Sequence, residues 1–136
     1  MFTHKHHKRV RYAETDKMGY LYYGHYAKYY EIGRVEALRS LGVSYKSLED
    51  DEGIMLPVLS LEARYKRPAY YDDLIEIQTI LKELPNKMIC FDHILLNENK
   101  EVLNTATVKL FFVEMATNRR VSCPQILSEK LGAFFE

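Results

Sequence analysis

The chain has 136 residues, 47% of them apolar, which suits one packed domain spanning residues 1–136 and excludes a disordered chain. Lysine plus arginine (19) equals aspartate plus glutamate (19), so the basic excess of a nucleic-acid binder is missing. Two cysteines, Cys90 and Cys123, are too few for a disulfide framework and share no metal-ligand spacing, the sequence has no run of about eighteen apolar residues of the kind that spans a bilayer, and Met1 to Arg11 lacks the apolar run of a leader, so the cytoplasm is the expected compartment.

In chain order, Lys5 to Tyr12 alternates weakly and is expected to be a strand. Ala13 to Gly19 reads as a loop from its Thr, Asp and Gly content. Seven of the eleven tyrosines fall between Tyr12 and Tyr30, and there is no tryptophan. Apolar area with one polar end suits a pocket or a subunit interface, although a tyrosine-rich core element has the same composition. His25 to Leu41 has a helical period, with Tyr26, Tyr29, Tyr30, Gly33, Ala37 and Leu41 on one face and Lys28, Glu31, Val35 and Arg39 opposite. Gly33 on the buried stripe costs up to about 1 kcal/mol of helix propensity, which implies a close backbone approach. Gly42 ends the helix, and a short second helix is expected from Ser44 or Ser47 toward Gly53.

After Gly53 the period changes from 3.6 to 2. Leu59, Leu61, Ala63 and Tyr65 alternate with polar residues, as do Ile75, Ile77 and Thr79 after the break at Pro68 and Asp72-Asp73. Pro85-Asn86-Lys87 turns the chain into a strand from Met88 to Leu96, where His93 is expected to face outward. Asn97 to Lys100 reads as a hairpin turn, Val102 to Val113 as a long last strand, and Ser122 to Phe135 as a closing helix. Short turns between successive strands imply antiparallel pairing, and one segregated long helix beside such a sheet is an α+β layout. A helix wrapped by one curved sheet of about five strands is the hotdog arrangement.

The stretch RYAETDKMGYLYYGHYAKYYEIGR, ending at Arg34, and the stretch YKRPAYYDDLIEIQT, from Tyr65 to Thr79, resemble the 4-hydroxybenzoyl-CoA thioesterase family of hotdog proteins. The resemblance covers about Arg9 to Val121 and is nearest the small acyl-CoA thioesterases associated with the bacterial Tol-Pal cluster. The family pattern of an acid, Thr, Asp, then Gly and two tyrosines is matched by Glu14-Thr15-Asp16, Gly19, Tyr22 and Tyr26. Tyr20, Leu21, Tyr23 and Gly24 stand where relatives often carry other residues, which leaves the acyl preference open. The resemblance implies hydrolysis of an acyl-CoA thioester, a homodimer with sites between subunits that is often doubled to a homotetramer, and no cofactor, coenzyme A being part of the substrate.

Thioester hydrolysis needs an attacking oxygen and a stabilised oxyanion. Asp16 supplies the first either as general base to a water, worth ~10²–10⁴-fold, or as the nucleophile itself. For the second, the resemblance points to the Tyr23 amide, helped by Gly24, at a helix start whose first N–H groups lack partners. His25 reads as a polar residue lining the pocket rather than as an essential base. Gly19, Tyr22, Tyr26 and Glu31 are further expected substrate contacts. Glu31 and Arg34, one turn apart, are expected to pair with each other. Lys87, Arg119 and Arg120, read as lying in turns near strand ends, are candidates for the phosphates of coenzyme A. No metal site is expected, since His4, His6 and His7 share no spacing with a carboxylate or cysteine. Three rivals stand beside this reading. One is an acyl-carrier-protein thioesterase, one a dehydratase or hydratase working through His25, and one a non-catalytic acyl-CoA sensor.

Overall fold

The computed structural model describes residues 1–136. Five long strands carry the sheet: β1 (Phe2–Arg9), β3 (Val58–Tyr65), β4 (Leu74–Leu81), β5 (Met88–Leu96) and β6 (Val102–Glu114), with β2 (Ile54–Met55) and β7 (Arg119–Val121) as short additions at the far end of β6. The order is β1-β4-β5-β6-β3, every pairing antiparallel. Helix α1 (Tyr26–Ser40) packs on β1, β4 and β5, while α2 (Tyr45–Glu52) and α3 (Gln125–Gly132) are peripheral. This is the hotdog fold, a long helix held in a curled antiparallel sheet.

The two-residue alternation of strands sorts the side chains. Ile75, Ile77, Thr79 and Leu81 of β4, Ile89, Phe91, His93 and Leu95 of β5, and Ala106, Val108 and Leu110 of β6 face the helix and are buried. His93 therefore points inward, against expectation, because it shares the parity of Phe91 and Leu95. It stacks on Tyr30 at 5.2 Å between ring centroids, and its Nδ1 lies 3.2 Å from Thr79 Oγ1. Burial, and then the nearby Arg34 charge, hold its pKa down to about 3, so the imidazole is neutral.

On α1 the buried stripe is Tyr26, Tyr29, Tyr30, Gly33, Arg34, Ala37 and Leu38. Gly33 has the reason its position implied: a Cβ there would sit 2.7 Å from both Ile77 Cγ2 and Thr79 Oγ1. Arg34 is buried, and neither it nor the exposed Glu31 belongs to any ion pair, so the expected Glu31–Arg34 bridge is absent. Ser44 caps α2 through a reciprocal bond with Ser47, and Gly53 ends it at a φ of 66°.

Three stretches differ from expectation, and one is the closing helix, which spans only Gln125–Gly132. Strand β1 stops at Arg9, and Tyr12–Glu14 forms a 3-10 turn because the Glu14 carboxylate accepts the Arg11 amide at 2.9 Å. Arg119 and Arg120 lie not in a turn but in β7, since Asn118, at a φ of 57°, folds the chain back onto Phe112–Glu114.

Candidate active site

Glu14 is the anchor of the site. Its Oε1 accepts from Lys8 Nζ at 3.0 Å, the Arg11 amide at 2.9 Å and Tyr29 Oη at 2.8 Å, and Oε2 pairs with Lys28. Burial pushes this carboxyl up, but the bonds from Lys28, Arg11, Tyr29 and Lys8 outweigh burial and hold it at about 2. One buried acid thus ties β1, the following loop and α1 together. The resemblance included Glu14 in its pattern but gave it no role.

From Glu14 the chain makes a narrow excursion and returns. The Tyr22 amide donates to Glu14 O at 2.9 Å, and the Asp16 amide donates to Tyr20 O at 2.8 Å. Gly19 turns the tip at a φ of 81°, a left-handed conformation that favours glycine. Leu21 N bonds Ala69 O at 2.7 Å, which fastens the excursion to the segment leading into β4. Within it, Asp16 Oδ1 accepts from the Met18 amide at 2.9 Å and the Tyr20 amide at 3.2 Å. These bonds leave Oδ2 without a protein donor.

The chain then enters α1 through a 3-10 turn at Tyr23–His25. The Tyr23 and Gly24 amides open that turn and donate to no acceptor, as helix geometry dictates for first-turn amides. Both Tyr22 and Tyr23 are exposed, with rings 4.8 Å apart. The Tyr22 ring lies over Gly24, where a Cβ would come within 2.5 Å of it. His25 is half-buried, with its ring edge-on to Tyr22.

Asp16 and Tyr23 share a cleft of about 310 Å³. Met18, Tyr20 and Leu21 complete its loop wall, Tyr26 comes from α1, and Tyr65 to Pro68 form the wall at the end of β3. Tyr26 is nearly buried and meets Tyr65 edge-on at 4.9 Å; burial, then Tyr65, push its hydroxyl up to about 12, so it remains protonated. The arrangement sets a carboxylate and a residue with an unpaired amide on one hollow lined by four tyrosines, which suits attack on a carbonyl carbon with polarisation of its oxygen.

Of the expected contacts, Asp16, Tyr23 and Tyr26 line this cleft, whereas Gly19, Tyr22, Gly24 and His25 stand at its approaches. Glu31 lies further along α1, outside the lining. Lys87, Arg119 and Arg120 are exposed and also outside it, and the Arg120 guanidinium sits 3.6 Å from the Phe111 ring centroid. The cations in the lining are Lys66 and Arg67, and Arg67 is engaged by Glu101 at 3.0 Å. A larger hollow of about 720 Å³ lies over the face of the sheet turned away from the helix. Of its two carboxylates, Asp92 is occupied by Thr107 at 2.7 Å and Lys82 at 3.4 Å and Glu62 is exposed on β3, and no helix start adjoins it. The smaller cleft is the one equipped for carbonyl chemistry.

A hotdog sheet around a helix whose open first turn shares a cleft with an acid defines the thioesterase class of this fold. Residues 10–131 match the thioesterase-like superfamily, and the chain belongs to that family. It is 31% identical over 117 residues to the acyl-CoA thioesterase YbgC of Haemophilus influenzae, covering 86% of this chain and 85% of that one. It is 34% identical over 100 residues to a putative esterase of Aquifex aeolicus, covering 74% and 77%. A DHNA-CoA thioesterase from Staphylococcus aureus superposes with a TM-score of 0.84 at 28% identity, over 99% of this chain and 85% of that one.

Proposed function

We propose that this protein hydrolyses acyl-CoA thioesters to free acid and coenzyme A, with Asp16 as the catalytic carboxylate and the Tyr23 amide as oxyanion donor. The observation that carries the reading is the cleft shared by Asp16, whose Oδ2 lacks a protein donor, and Tyr23, whose amide lacks an acceptor. Kinship with YbgC-type enzymes supports coenzyme A as the carrier and supports the Tol-Pal-associated branch. A hydrolase of this kind needs no cofactor. The acyl group lies against Tyr20, Tyr23, Tyr26 and Tyr65, and the pantetheine arm leaves past Lys66. Two unbridged cysteines fit the reducing cytoplasm, and no helix is long and apolar enough to cross a membrane.

The proposed assembly is a homodimer, with a homotetramer as its doubled form. Strand β3 pairs only with β6, so its other edge is open. Its helix-side residues Leu61 and Tyr65 are 42% and 53% exposed because α1 covers β1, β4 and β5 instead. An open apolar edge is a surface that proteins ordinarily cover. Since Tyr65 belongs both to that edge and to the cleft, a second copy would close the site against water.

The test is thiol release from short, long and aromatic acyl-CoAs by wild type and Asp16→Asn. The variant should keep its far-ultraviolet dichroism and lose at least ~100-fold in turnover. Wild-type turnover in the variant would remove Asp16 from the chemistry.

A further inference from the structure

Helix α1 has two unlike flanks. At about 100° per residue, Lys28, Ile32 and Glu36 turn toward β1, where Lys28 meets Glu14. Ala27, Glu31, Arg34 and Leu38 form the opposite stripe, away from β1. On that side Arg34 is only 7% exposed, and its Nε has no hydrogen-bond partner. No carboxylate lies within 4 Å of it, and its surroundings are His93 and the Tyr45 hydroxyl of α2. The Tyr45 hydroxyl is its one neighbouring acceptor, and a buried guanidinium with no carboxylate beside it is costly, because buried charge is tolerated when it is paired. The nearest acid along the stripe, Glu31, is exposed and equally unpaired.

We propose that Arg34 is completed across the dimer by Glu31 of the partner subunit, and that the same pair repeated by the twofold axis aligns the two α1 flanks and the cleft that each shares with β3. The inference rests on the dimer of the proposed function. Three observations select a second copy as the occupant. The flank carries an exposed acid and a mostly buried base three residues apart, which is self-complementary when two copies of the stripe run antiparallel about a point between them. Ala27, one turn before Glu31, is small and exposed and leaves room for close approach. The stripe lies on the flank of α1 away from β1, and Tyr65 of the open β3 edge also lines the Asp16 cleft.

Charge reversal in separate chains tests the pairing. Glu31→Arg alone sets Arg against Arg in the homodimer, and Arg34→Glu alone sets Glu against Glu. Each should raise the dimer dissociation constant about 10-fold or more and lower thiol release at dilute protein. Co-expression of the two reversed chains with different tags restores both cross-subunit pairs in the mixed dimer, whereas a bridge within one chain would stay broken in both. Recovery of dimer and turnover in the doubly tagged species is the expected result. Recovery absent from the mixed species, or reversed homodimers as tight as wild type, overturns the proposal. Should the reversed chains fail to fold alone, a soluble mixed dimer on co-expression still supports it, and none overturns it. Light scattering on the wild type reports separately on the dimer itself, so loss of that reading is distinguishable from loss of this pair.

Discussion

At the scale of single residues, the backbone donor is the least accessible part of the proposed chemistry and has an unusually clean test. Tyr23 opens its turn with an unbonded amide, and Tyr22 before it has φ −62° and ψ 132°, the conformation that a following proline requires. Tyr23→Pro should therefore fold while deleting one oxyanion donor, at a loss of ~10²–10³-fold in turnover. Tyr23→Ala, which keeps the amide, should lose far less; equal losses in the two variants would transfer the effect from amide to ring. Glu14 and His93 set the response to acid. The Glu14 carboxyl is held at about 2 against an ordinary 4.5, so its stabilisation is complete above pH 4.5 and is lost as pH falls toward 2. The His93 imidazole is held at about 3 against 6.5, so the unfolded chain binds its proton first, and stability declines from pH 6.5 downward. Urea midpoints measured against pH should fall across both windows. His93→Leu should flatten the slope between pH 6.5 and 4.5, and Glu14→Gln the slope below it; a wild-type slope in His93→Leu would reassign the upper window.

At the scale of elements, α1 is set against the sheet by Gly33. Alanine there gains up to about 1 kcal/mol of helix propensity, yet its methyl would enter space held by Ile77 and Thr79, an overpacking that costs about 1–3 kcal/mol. Gly33→Ala should lower the thermal midpoint, and a raised midpoint would mean that the helix can lift off the sheet freely. This contact was legible in the sequence, because a glycine inside an otherwise regular apolar stripe marks a place where no side chain fits. So were β5, whose ends at Met88 and Leu96 coincide with the alternating run, and α2, bracketed by Ser44 and Gly53. Asp16 stands out as a candidate only through the Glu-Thr-Asp…Gly…Tyr pattern, since an aspartate in a loop is ordinarily turn chemistry. The inward direction of His93 was available from its parity with Phe91 and Leu95, but its polar ring obscured it. Strand β7 was not legible: three residues, two of them arginine, carry no alternation, and their pairing arises from the reversal at Asn118. The lack of a carboxylate partner for Arg34 was equally hidden, because spacing on a helix indicates which residues can meet and not which rotamers they take.

At the scale of the whole molecule, the fold leaves its own β3 unfinished, and that feature separates a dimeric enzyme from a monomeric one. In an isolated subunit Leu61 is a large apolar side chain facing water at 42% exposure, and replacing it with glutamate would cost little, since surface changes usually fall within about 0.5 kcal/mol. In a dimer built on the β3 edge, the same change buries a carboxylate beside its symmetry mate, where like charges cost several kcal/mol. Leu61→Glu should accordingly leave the unfolding midpoint of the monomer almost unchanged and shift light scattering from dimer to monomer. It should also lower thiol release, although Leu61 is absent from the lining of the Asp16 cleft. Activity that recovers as protein concentration rises would trace the loss to association rather than to a damaged cleft, because mass action restores a weakened dimer but not a missing catalytic group. A fully active Leu61→Glu monomer would show that one subunit holds a complete site, and the role assigned to the open edge would fall with it.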